Sequence, residues 1–188
     1  MEGASRTITP GGAEYWGLFN DFRRTAFRLE TLQLYRADSE TDTFRAFLAG
    51  EPCPPWPARD QWLTRIRAAK AAGKSYSRVH IVTEPLTDYT TYELTWIYPA
   101  NVAAGEDIRI VPVTADWPPG LPRLDYWLFD SETLAVFRYD DSGRLTAVEA
   151  SGRDEVAIAQ ASAWRDTAWR IAIPYDQYMA RRQLQRAS

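Results

Sequence analysis

The residues best able to do chemistry crowd into one stretch, Tyr76 to Val111, which holds the only histidine of the chain, His80. Arg78 stands two residues before it, and Glu84, Asp88, Tyr89, Tyr92 and Glu93 follow. A histidine among carboxylates and phenols can move a proton, and the same groups can hold a small polar ligand. Period two puts Arg78, His80 and Val82 on one face of a strand, where Arg78 would lower the His80 pKa. His80 has two readings: a core histidine with one satisfied hydrogen bond, or a general base with a partner and solvent access. The carboxylates and tyrosines also have two. They line a polar pocket floored by Trp96, or they belong to a capped helix whose aromatic face is core. No second histidine or cysteine stands at ligand spacing, so neither a metal site nor a cofactor is expected.

These side chains need elements to position them. Arg78 to Thr83 is a β-branched run that fits a buried strand, broken by Glu84-Pro85. Pro85 suits a first helical turn, and Thr87 and Asp88 suit the free N–H groups there. From Leu86 to Trp96 nothing breaks a helix. Tyr89, Tyr92, Glu93 and Trp96 share one face; Leu86, Thr90, Leu94 and Ile97 share another. Pro99 is expected to stop this helix, and Ile108 to Val111 to form a second strand. A strand–helix–strand unit makes the strands parallel and the crossover right-handed. Glu84 then lies at the carboxyl edge, whereas Glu106 and Asp107 lie at the amino edge as solvated turn acids or partners of Arg109. The ligand-facing edge is expected at Glu84 to Trp96, beside strand carboxyl ends.

Composition excludes several classes. The 188 residues suffice for one domain with a core, and the net charge of −3 offers no general attraction to nucleic acid or an anionic membrane. No apolar run spans a bilayer, and a cytoplasmic location is expected. The single cysteine, Cys53, rules out an internal disulfide framework and, with no basic residue near it in sequence, reads as inert. Eight Trp and ten Tyr are many, and such rings fill cores or line pockets and interfaces. Arg23, Arg24 and Arg28 with Glu30 bind an anion or pair with surface acids; Arg181, Arg182 and Arg186 complement a helix end rather than bind DNA.

Along the chain, residues 1–12 read as a disordered lead and 13–188 as one globular domain. Helices are expected at Glu14–Arg24, Thr41–Ala49, Ala58–Ala72, Asp154–Ile171 and Tyr175–Arg186. Further strands fall at Phe27–Tyr35, Tyr126–Phe129, Leu134–Tyr139 and Leu145–Glu149, the last two joined by a turn at Asp140-Asp141-Ser142-Gly143. The sum is an α/β (or α+β) fold with a mixed β-sheet of about five to seven strands and flanking helices.

The segments FRRTAFRLETL (22–32), FRAFLAGEP (44–52), RVHIVTEPLTDYTTYELTWIYPANVAAGEDIRI (78–110), YWLFD (126–130) and AWRDTAWRIAIPY (163–175) resemble an uncharacterised actinobacterial family. Its members are often encoded near helix-turn-helix regulators. That family commonly carries a histidine where this chain has Ala100. A second resemblance concerns architecture: the WLFD strand, the hairpin and a helix bearing Trp164 and Trp169 look like the end of a phospholipase-D-like half-domain. Active members of that group need a histidine and a lysine two residues apart, and here His80 is followed by Val82. The resemblances imply a non-enzymatic ligand-sensing or protein-interaction module in a bacterial regulatory circuit, partnered by a helix-turn-helix regulator or by itself as a dimer. The alternative is a small enzyme of specialised metabolism using Glu84, Asp88 and Tyr92.

Overall fold

A computed structural model of the chain describes residues 5–152 and 154–186. The described residues form eight strands and seven α-helices. The strands are β1 (Arg6–Ile8), β2 (Thr25–Glu30), β3 (Ser75–Thr83), β4 (Asp107–Val113), β5 (Asp125–Phe129), β6 (Thr133–Tyr139), β7 (Leu145–Ser151) and β8 (Ile173–Pro174). The helices are α1 (Ala13–Asp21), α2 (Thr41–Leu48), α3 (Pro57–Ala71), α4 (Asp88–Tyr92), α5 (Tyr98–Ala104), α6 (Glu155–Ile171) and α7 (Tyr175–Arg186). One mixed sheet runs β1-β7-β6-β5-β2-β3-β4-β8. Its centre, β2-β3-β4, is parallel, and every other pairing is antiparallel. The architecture is a single-domain α/β fold.

The sheet is buried on both faces, and period two sorts its side chains. Phe27, Leu29, Val79, Ile81, Tyr126 and Leu128 pack on one side with Ala161 and Ala168 of α6. Ala26, Tyr76, Trp127, Phe129 and Phe137 pack on the other with Phe19 of α1 and Ile66 of α3. The second face also carries charge. Arg28 pairs in register with Arg78, and Glu30 with His80, so four polar residues of β2 and β3 sit side by side between apolar neighbours.

Some expectations are corrected. Residues 6–8, read as disordered lead, form β1, because Ile8 is buried and its backbone pairs with Val148; residues 1–4 lie outside the described residues. With β1 and the two-residue β8, the sheet has eight strands rather than five to seven. The strand expected over Phe27–Tyr35 ends at Glu30, and Thr31 turns away by bonding Asp125. Leu48 of α2 and Val156 of α6 are exposed despite their apolar side chains.

Pro99 does not stop its helix. Glu93–Ile97 forms a π turn, and α5 begins directly after it with Pro99 in its first turn, where the missing N–H is tolerated. The helix starts at Asp88, not Pro85, and Thr87 caps it by accepting from the N–H of Thr90. Gly105 closes α5 in a left-handed conformation (φ 116°).

Candidate functional site

Beneath α4, the π turn and α5 lies a buried network of charged and polar side chains. The Arg28 Nε sits 2.7 Å from Glu30 Oε1, and Nη2 donates to Tyr139 Oη at 3.1 Å. Arg78 Nη1 donates to Glu30 Oε2 at 2.8 Å and its Nε to Glu106 Oε1 at 2.9 Å. Asn101 Nδ2 donates to the other oxygen of Glu106. Beside Arg28, Asp125 accepts from the Thr31 N–H and hydroxyl and from Tyr35 Oη. Two arginines are thus matched by three carboxylates in a largely buried region, which is tolerable only because nearly every charge has bonded partners.

His80 is fully buried and bonded at both ring nitrogens: Nε2 to the Leu32 carbonyl and Nδ1 to Tyr98 Oη, each at 2.8 Å. A carbonyl only accepts, so Nε2 carries the proton. Tyr98 also donates to Glu30 Oε2 at 3.0 Å, so its one hydroxyl proton serves two acceptors. Burial pushes the His80 pKa down. Arg78, expected to be the cause, adds only a smaller push in the same direction. Burial pushes Glu30 up, but Arg28 and Arg78 override it and hold this carboxyl at about 2.

Glu93, the first residue of the π turn, behaves oppositely. Burial pushes its pKa well above the usual value, and the neighbouring Glu30 and Glu40 add to this. Its Oε2 lies 3.7 Å from His80 Nδ1 and has no hydrogen-bond partner. Glu40, also raised by burial, accepts from Tyr89 Oη at 2.6 Å.

Over the network opens a cavity of about 710 Å³. Arg28, Glu30, Arg78, Glu93 and Asn101 reach its inner end. Tyr35, Tyr89, Trp127 and Tyr139 form its walls, and Arg36, Arg59 and Arg65 stand at its more exposed rim.

The seven residues singled out from sequence therefore divide. Arg78, His80, Tyr89 and Glu93 converge on this site. Tyr92 turns behind it, bonding Thr43 and packing with Phe44, Phe47 and Trp56 as core. Asp88 is exposed on the first turn of α4. Glu84 sits at the carboxyl edge as expected, but faces α7, accepting from Tyr178 Oη at 2.7 Å and Arg182 Nη1 at 3.2 Å. Trp96, expected as a pocket floor, packs against Phe47 and Tyr92 instead.

Glu106 is no solvated acid: it is buried and holds Arg78. Arg28, expected at an anion site or a surface pair, is a part-buried partner of Glu30. Cys53, thought remote from any base, has Arg59 Nη1 3.9 Å from its sulfur. The missed members are Glu40, Tyr35, Tyr98, Asn101 and Asp125, and Glu30 was weighed only beside Arg28 at an anion site or surface pair. One signal was available for Glu30, since Arg28 and Glu30 alternate with Phe27 and Leu29 along β2.

Glu30, His80 and Glu93 each offer one ligand atom within 4.8 Å of the others, a spacing that could hold a metal ion. The electrostatics oppose it. Glu30 commits both oxygens to arginines, whose two positive charges repel a dication at close range. The cluster suits holding and sharing protons, and its cavity suits a polar molecule.

Of the comparisons with known proteins, the one with solved structures bears on architecture. No curated protein matches the sequence. Among solved structures, the chain is similar to Nuc from Salmonella typhimurium, a phospholipase D family member, with a TM-score of 0.51 at 12% identity. The likeness covers 92% of this chain and 97% of that one and concerns the fold alone. Residues 13–180 match the family described as "Domain of unknown function (DUF6879)", and they include β2 to β8, α4, α5 and every residue of the buried network, so the chain belongs to that family.

Proposed function

We propose that this chain is a non-enzymatic ligand-sensing module of a bacterial regulatory circuit, working in the cytoplasm and taking a small polar molecule into the cavity above β2 and β3. The observation that carries this reading is the cavity itself, of a size that suits a small-molecule site and floored by a fixed charged network. The chain's one histidine supports binding over catalysis. Both its ring nitrogens are engaged and it is fully buried, so it presents no free lone pair to a substrate. The readout would pass to a helix-turn-helix regulator or a second copy of the chain. No helix of the described residues is long and apolar enough to cross a membrane.

A second reading, a small enzyme, is favoured by one observation: Glu93 is a carboxyl whose protonated form is stabilised at a cavity wall, as a general acid requires. In that reading Glu93 and Tyr89 replace the Glu84, Asp88 and Tyr92 set.

Filling the cavity tests both. Ser39→Trp with Ala58→Trp adds bulk from the exposed rim without touching the network. In a thermal-shift screen of polar metabolites, at least one compound should raise the parent's Tm by several degrees and leave the filled variant unmoved. A compound consumed by the parent but not by Glu93→Gln would establish the enzyme reading instead.

A further inference from the structure

The cavity has a direction of charge that narrows its ligand. At its inner end two buried acceptors lack partners: Glu93 Oε2 and Asn101 Oδ1. The orientation of Asn101 is fixed, because its Nδ2 donates to Glu106, which only accepts. Among the described residues, no lysine or arginine lies within 4 Å of a Glu93 or Glu40 carboxylate oxygen; the ion-pair contact of Glu93 is neutral-leaning His80. Two residues that line one cavity, each with a buried oxygen lacking a donor, call for a group rich in N–H donors.

The rim has the opposite character. Arg36, Arg59 and Arg65 line it, and among the described residues none of them has a buried carboxylate within ion-pair distance. Arg59 is 3.5 Å from solvent-facing Asp60, and Arg65 bonds Asn20 and stacks on Trp16. The walls between are aromatic, and these rings already accept a cation: the Arg28 guanidinium lies 5.6 Å from the centres of both Tyr35 and Trp127.

We propose that the ligand is an organic zwitterion. Its cationic nitrogen meets Glu93 and Asn101, its body lies along Tyr35, Tyr89 and Trp127, and its anionic group remains among Arg36, Arg59 and Arg65. This rests on the binding reading above and adds the ligand's chemical class.

The inference has a proton consequence. Glu93 is faced by Glu30, Glu40, Arg78, Arg28 and His80, with Tyr89 and Tyr98 beside it, and this setting favours its protonated form. A bound cation favours the carboxylate, so the Glu93 proton leaves to solvent as the ligand enters.

Two matched series test the charge assignment: hexylamine, 6-aminohexanoate and hexanoate, and tryptamine, tryptophan and indole-3-propionate. Binding is read at millimolar concentration from the tryptophan indole N–H signals by NMR, and proton release by calorimetry in buffers of different ionisation enthalpy. At least one zwitterion should bind tenfold or more tighter than its matching anion and release close to one proton per molecule. Glu93→Gln, which mimics the protonated acid, should weaken it about tenfold and abolish the release. Arg59→Gln should weaken the zwitterion and leave the matching amine unchanged. If anions bind as well as zwitterions, or a metabolite without a cationic nitrogen is the tight ligand, the zwitterion assignment fails while the binding module stands. If no member of either series binds, the zwitterion assignment also fails. If, in addition, no metabolite stabilises the protein, the binding reading falls with it.

Discussion

Arg78 is the residue on which the buried charges depend. It bridges Glu30 and Glu106 through separate nitrogens of one planar fork. Arg78→Met would leave two buried carboxylates without this cation, and unfolding by denaturant should show a loss of about 3–5 kcal/mol. Arg78→Lys should recover little of it, since an ammonium cannot reproduce the fork. Glu93 gives a pH signature. Its folded pKa is raised above the ordinary 4.5, so the folded state holds its proton more tightly and loses stability as pH rises from 4.5 through the folded pKa. Glu93→Gln removes this cost. The variant should match the parent at pH 4 and exceed it increasingly toward pH 8 in denaturation midpoints. A constant difference across that range would mean that Glu93 titrates normally. Glu30 works the other way: held at about 2, it stabilises fully above 4.5 and loses this between 4.5 and 2.

At the scale of elements, the site depends on segments that break ordinary rules. The π turn lets one helix run past Pro99 and sets Glu93 and Asn101 on the same cavity. The loop after β2 is pinned by the β6–β7 turn, where the Arg36 N–H donates to the Gly143 carbonyl at 2.8 Å. Gly143 has φ 82°, and a Cβ there would meet the Leu34 carbonyl oxygen at 2.5 Å. Gly143→Ala should therefore cost more than the ~1–2 kcal/mol of left-handed backbone alone, and should displace Tyr35 and Arg36 from the cavity. Gly105→Ala, also at positive φ, meets the flexible Lys70 side chain and should cost less. Equal losses in thermal unfolding would contradict this ordering.

For the whole molecule, a net charge of −3 argues against sequence-specific DNA binding. The purified chain should show no tight, salt-sensitive affinity for duplexes, and gel-shift titration at two salt concentrations checks this. Partnering through the sheet is also disfavoured. Its edges are a three-residue β1 and a two-residue β8 that contains Pro174, both poor templates for strand addition. Self-association or regulator binding is expected through Trp117 or α7. Sedimentation should report a dimer and cross-links should map there; a strict monomer with no co-purifying regulator would count against it.

Local patterns determined much of this protein. β-branched runs, helical spacing and turn residues placed most elements, and the parallel β3–β4 pairing correctly separated Glu84 from Asp107. Alternation also put Arg78 and His80 on one face. What tertiary structure alone decided was which charges meet. Glu30, Glu106 and Asp125 come from three different strands or their approaches, and only the β2-β3-β4 and β2-β5 registers bring them to two arginines. Glu84 and Asp88 looked equally suited in one dimension, yet a turn of chain after β3 sends Glu84 toward α7 and leaves Asp88 in solvent. Sequence spacing sets which face of its own element a side chain takes. Burial, and with it the protonation of Glu93, depends on elements far away in the chain, because desolvation is a property of the surroundings rather than of the residue.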